Sequence, residues 1–73
     1  MEIDKSKCLV ADKFIASFTS MSQSWVRKQR MYRRRGLAHV LNIDPVMIGS
    51  APRYRLDEFD AWLIAHHAQA KGR

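Results

Sequence analysis

The sequence is poor in what a secreted protein or an enzyme needs. It has one cysteine, Cys8, so neither a disulfide framework nor a cysteine-rich zinc site can form. A reducing, bacterial cytoplasm is the expected setting. No apolar run approaches the roughly 20 residues that cross a bilayer. The opening stretch, MEIDKSKCLV, lacks the apolar centre of a signal peptide. There is no internal repeat and no low-complexity tract. Length is scarce too. A chain of 73 residues makes one domain at most, and it buries only about 60% of its unfolded surface. That leaves no room for a deep catalytic cleft, so a surface-binding module is expected rather than an enzyme.

Acidic residues are also few, seven against 13 Lys and Arg, for a net charge of +6. The imbalance is local. In residues 1–20, Lys5, Lys7 and Lys13 offset Glu2, Asp4 and Asp12. Residues 21–55 set eight basic residues against Asp44 alone, a net of +7, and residues 56–73 carry −1. A field of this sign attracts nucleic acid or an anionic membrane surface. The basic stretch also holds Trp25, Val26, Tyr32, Ile43, Val46 and Ile48, which a disordered basic tail would lack.

What is present has helical and hairpin grammar. Lys7 to Val10 reads as a short apolar entry, a candidate strand. Ala11, Phe14, Ile15 and Phe18 fall on one face of a two-turn helix with no good cap before it. Ser20 or Ser22 can cap a second helix, running from about Ser22 to Arg35 and stopped by Gly36. Its core is Trp25 to Gly36, WVRKQRMYRRRG, with six Arg or Lys among twelve residues and no acid. At 100° per residue, Trp25, Gln29 and Tyr32 make an apolar ridge with Val26 at its margin. Arg27, Arg30 and Arg34 lie opposite, with Lys28 and Arg35 on one flank. Gln29 is a blemish in that ridge, because an interior amide needs a partner.

Leu37 to Asp44 reads as a helix extension or as a loop with a strand, ended by Pro45. Val46 to Ile48, a turn at Gly49 to Pro52, and Arg53 to Leu56 read as a hairpin. Arg53 and Arg55 alternate with Tyr54 and Leu56, so both point one way. Asp57 can cap a last helix, with Glu58 and Asp60 in its first turn and Phe59, Trp62, Leu63 and His66 at helical spacing. Residues 1–6 and 68–73 are expected to fray.

This order of elements, with SQSWVRK (Ser22 to Lys28) and PRYRLDEFDAWL (Pro52 to Leu63), resembles the winged-helix excisionase family. That family is related to the DNA-binding domain of MerR-type regulators. Three departures stand out: the usual acidic residue of the first helix is missing, Phe14 with Ile15 sits where a more polar pattern is common, and the link from Gly36 to Pro45 is long. The resemblance implies a small α+β, mainly α, winged-helix domain with a helix-turn-helix and a two-stranded β wing. It implies that the second helix enters the major groove of double-stranded DNA. Base-edge contacts then fall to Gln23, Ser24, Arg27 and Lys28, and phosphate contacts to Arg30, Arg33, Arg34 and Arg35. The wing arginines, Arg53 and Arg55, lie against the backbone or in a minor groove. It also implies cooperative self-association on DNA, bending, and an integrase as protein partner, with no catalysis and no cofactor. Six to eight phosphate contacts give a log–log salt slope of about −5 to −7.

Plainer readings stand beside these. Trp25, Tyr32, Phe59 and Trp62 at helical spacing read as core before base-stacking platforms. His66 and His67 point apart on a helix and have no third ligand; His39 reads as a loop or surface residue. Cys8 reads as a small buried hydrophobe, and the acids at 57–60 as a helix start. Three rival functions remain. One is a small AlpA-type transcriptional regulator on the same fold. Another is a terminase-small-subunit-like packaging adaptor, disfavoured by the absence of heptads. The third is a basic amphipathic segment on anionic membrane, disfavoured by the narrow ridge that Gln29 interrupts.

Overall fold

The computed structural model describes residues 7–71, with side chains through His66. In chain order these residues form β1 (Leu9–Val10), α1 (Asp12–Thr19), α2 (Gln23–Arg34), β2 (Val46–Ile48), β3 (Ala51–Arg55) and α3 (Leu56–Lys71). The result is a small α+β arrangement of three helices and one three-stranded antiparallel sheet.

Helix α1 starts at Ala11 without a side-chain cap, as its sequence leads one to expect. Its buried line is Ile15 and Ala16, with Phe14 packed at the edge of the core. Phe18, expected on the inner face, is 60% exposed; it stacks on Phe14 with ring centroids 4.5 Å apart. The helix ends where Thr19 Oγ1 donates to the Ile15 carbonyl at 2.8 Å. Ser20 then turns the chain at φ 58, a left-handed conformation that costs a residue with a Cβ about 1–2 kcal/mol. Ser20→Gly is therefore expected to stabilise the fold by about 1 kcal/mol. Thermal unfolding should show a rise of about 4–8 °C, and an unchanged or lower midpoint would refute the strain.

Three residues, Ser20 to Ser22, separate α1 from α2. Ser22 caps α2, its hydroxyl accepting from the Trp25 N–H at 3.0 Å. At the other end Gly36 adopts φ 73. Its N–H donates to the Arg33 carbonyl at 3.2 Å, and that of Leu37 to the Tyr32 carbonyl at 2.8 Å. These are the two bonds of a Schellman stop, which needs a residue free of Cβ strain at this position.

Residues 37–45 form neither the helix extension nor the strand considered above. They cross as an irregular segment that buries Leu41 and Ile43. The hairpin follows, with a turn shorter than its sequence suggests. Ile48 pairs with Ala51, leaving only Gly49 and Ser50 between the strands. Gly49 sits at φ 63 and Ser50 does not have positive φ, the combination for which a two-residue turn selects glycine first.

The sheet has three strands where the hairpin alone gives two. Strand β1 adds to the outer side of β3, with Leu9 opposite Arg55 and Val10 opposite Tyr54. The next bond along, from Leu56 N–H to the Cys8 carbonyl at 2.9 Å, carries the pairing into the start of α3. Cys8 is half-buried rather than interior. Helix α3 begins at Leu56, one residue before Asp57. Asp57 therefore lies in the first turn instead of at the cap, and its carboxylate accepts from the Glu58 N–H at 2.8 Å. The backbone of 68–71 is helical; the fraying expected of 1–6 and 72–73 lies outside the described residues.

The core is Ile15, Ala16, Val26, Leu41, Ile43, Tyr54 and Phe59, flanked by Val10, Phe14, Trp25, Leu56, Trp62 and Leu63. It draws on every element except β2. Among the described residues no helix is long and apolar enough to cross a membrane.

Candidate nucleic-acid interface

The placement of every cation on α2 follows from which line of the helix faces the core. Val26 and Gln29 are the buried residues of α2. Trp25 is half-buried at the core's edge, and Tyr32, also half-buried, is not part of that packing. The inward direction thus lies between Val26 and Gln29, roughly 70° round from Trp25 at 100° per residue. This corrects the ridge centred on Trp25 and Tyr32, and the correction sorts the arginines.

Arg30 moves to the flank of the inward face. Its Nη1 and Nη2 donate to the two carboxylate oxygens of Asp12 at 2.8 and 3.1 Å, and Nη1 also lies 3.4 Å from the Tyr54 hydroxyl. Its side chain is only 18% exposed. The Asp12 hydrogen bond raises the guanidinium's affinity for its proton, against the opposing effect of burial. Burial in turn pushes the Tyr54 phenol up, so its hydroxyl remains protonated at neutral pH. Arg30 therefore ties α1, α2 and β3 together and is withdrawn from the phosphate-contact set. Asp12 stands in the first turn of α1.

Arg33 lies almost directly over the inward direction, but beyond the core's end. Its Nε and Nη2 donate to the two oxygens of Asp44 at 2.7 and 3.3 Å. Its Nη1 meets His39 Nε2 at 3.2 Å. His39 Nδ1 is 2.8 Å from the Leu37 carbonyl; a carbonyl only accepts, so Nδ1 carries the proton and Nε2 accepts from Arg33. Hydrogen bonding to Arg33 holds the Asp44 carboxyl below its ordinary range. Arg33 is thus engaged within the molecule, and His39 is a bonded, half-buried member of the 37–44 segment.

Gln29 has the partner an interior amide requires. Its Oε1 accepts from the backbone N–H of Val40 at 2.6 Å and of Leu41 at 3.1 Å. The Val40 carbonyl accepts from Trp62 Nε1 at 3.1 Å. Two helices therefore grip one residue of the irregular segment from opposite sides. The requirement was visible in the sequence; the partner was not.

What α2 turns outward is Arg27, Lys28, Arg34, Arg35 and Ser24, within an arc of about 120°, with Gln23 at its edge. All six are exposed. Of the ten residues assigned to DNA contact by resemblance, the four base-edge candidates share this surface with Arg34 and Arg35. Arg53 and Arg55 sit on β3 either side of the fully buried Tyr54, so they share the opposite, outer face of the sheet. Arg55 is exposed and Arg53 half-buried, its Nη1 donating to the Pro52 carbonyl at 2.8 Å. Between α2 and β2 runs a crevice of roughly 410 Å³ lined by Arg30, Arg33, Arg34, Asp44, Pro45 and Met47.

No group of three or more His, Cys, Asp or Glu among the described residues can hold a metal ion. No family model, curated protein or solved structure matches the chain.

Proposed function

We propose that the chain is a sequence-specific double-stranded DNA-binding protein of winged-helix type, with α2 as the helix that enters the major groove. The observation that carries this reading is the cationic arc of α2, without an acidic partner among the described residues: Arg27, Lys28, Arg34 and Arg35 beside Gln23 and Ser24. An α-helix fits the major groove, where Arg reads guanine and Gln reads adenine bidentately. The arc is backed by buried Val26 and Gln29, so the helix is held rigidly against the core. The hairpin with Arg53 and Arg55 serves as the wing. The role within DNA metabolism rests on the resemblance in Ser22–Lys28 and Pro52–Leu63. It is that of an excisionase, binding cooperatively, bending the duplex and directing an integrase to excise a prophage or integrative element.

A gel-shift series tests the reading, with mixed duplex, single strand and anionic vesicles as separate ligands. Duplex binding is expected to win. Six basic residues of α2 and β3 have no carboxylate partner among the described residues, four on α2 and two on β3, so the salt slope from them is expected near −5, shallower than the roughly −7 that all eight imply. Arg27→Ala is expected to cost about 1–3 kcal/mol and relax preference at one base pair. Arg34→Ala is expected to weaken all duplexes alike and flatten the salt slope by about one unit. If Arg27→Ala weakens every sequence equally, its base contact is wrong. Retention on vesicles without a duplex shift would overturn the function.

A further inference from the structure

We infer that the crevice between α2 and β2 is a seat for one phosphodiester of the duplex, and that Asp44 fills this seat in the free protein. The inference rests on the duplex-binding reading above. Three guanidinium groups, those of Arg30, Arg33 and Arg34, line this crevice with a single carboxylate, that of Asp44. Arg30 is already matched by Asp12, and Arg34 is exposed.

The Arg33–Asp44 contact has the form a phosphate would take. Asp44 offers two oxygens to Nε and Nη2 of one guanidinium, and a phosphodiester offers two non-bridging oxygens to the same fork. The carboxylate holds this position loosely. Asp44 is 81% exposed and Arg33 31% exposed, and ion pairs so open to water contribute little. An arriving phosphate gains the neighbouring Arg34 as a second cation, which the short Asp44 side chain does not engage. Pro45 and Met47 supply an apolar wall on the hairpin side. Arg33 is thus a switched contact: committed to Asp44 in the free protein and to the backbone when DNA is bound. Asp44 weakens binding to every duplex equally, which leaves the sequence-dependent contacts of α2 to decide occupancy.

The test is duplex affinity of the full chain across a salt series. Asp44→Asn keeps the shape and removes the competing charge; at so exposed a site the fold is retained, which a thermal melt verifies. Binding to a short mixed-sequence DNA duplex is expected to tighten about two- to five-fold. In an Arg33→Gln background the gain should vanish, and the salt slope should fall by about one. If Arg33→Gln melts too low to assay, Arg33→Met keeps the aliphatic stem without the charge and should likewise abolish the gain. Glu58→Gln on α3 removes the same charge from a residue that borders a neighbouring pocket with Asp44 but does not line the crevice, and should leave affinity within about two-fold. An unchanged or weakened Asp44→Asn complex overturns the exchange. So does a gain that survives loss of Arg33, or one equalled by Glu58→Gln, because then net charge alone acts. A gain on anionic vesicles but not on duplex also overturns it. If the unaltered protein binds no duplex, the function itself fails along with the seat; duplex binding without the Asp44 effect refutes the seat alone.

Discussion

Phe59→Ala is expected to abolish the cooperative fold under ordinary conditions. Phe59 is 1% exposed. Its ring meets Phe14 edge-on at 6.2 Å and lies nearly parallel to Trp62 at 5.9 Å, so it joins α3 to α1. Truncating a buried Phe costs about 3–5 kcal/mol, the transfer term plus the cavity left behind. A core in a chain this short supplies only about 3–5 kcal/mol of net stability. The two quantities are equal in size, so the variant should be largely unfolded at 25 °C. Near-ultraviolet circular dichroism and urea titration measure this directly. Phe18→Ala is the internal comparison. It removes the same side chain from the same aromatic cluster, but at 60% exposure, and should cost less than about 1 kcal/mol. Equal losses at the two positions would mean that burial is misplaced.

Gln29→Leu is expected to be the next most damaging change. Leucine fills similar space but accepts no hydrogen bond. The N–H groups of Val40 and Leu41 then lose their acceptor together. A buried donor left unpaired costs about 1–3 kcal/mol, which puts the pair at about 2–4 kcal/mol, since the Val40 group is only partly buried. The structural effect should be confined. Residues 37–44 are held by Gln29, by Arg33 and by Trp62, whereas the sheet and the α1–α2 pair do not depend on them for their hydrogen bonds. Hydrogen exchange should show the Val40 and Leu41 amides exposed while those of α1 stay protected. Unchanged protection at Val40 and Leu41 would refute the role assigned to Gln29.

The contrast between these two residues shows what the sequence discloses. Phe59 follows helical spacing, and spacing reports burial. Gln29 also follows it, and its polarity marks a need for a partner, but the partner is backbone eleven residues away in a segment with no period. Boundaries governed by local chemistry were legible in part: a serine cap at Ser20 or Ser22, which the structure gives to Ser22, the Gly36 stop, and a hairpin turn beginning at Gly49 that closes two residues sooner than read. Strand β1 could be read only as a candidate strand, because two residues give no alternation to count and their pairing is long-range. The rotation of α2 was misread by roughly 70°, since Trp25 outweighs Val26 in size while the core selects by fit. That angle decides which arginines find a carboxylate within the molecule: Arg30 pairs with Asp12 and Arg33 with Asp44. Gln23, Ser24, Arg27, Lys28, Arg34 and Arg35 stay exposed, because residues opposite the core stay outside under a rotation of that size.

The contact of Arg30 with Asp12 and Tyr54 has an implication for inheritance. Its three members come from three separate segments, so none can drift alone. A lineage that loses the carboxylate is left with an uncompensated cation in a place water reaches poorly, and must replace the guanidinium in the same step or forfeit the angle between its first two helices. Positions 12 and 30 are therefore expected to change as a couple, while positions 27 and 34 vary freely with whatever surface they meet.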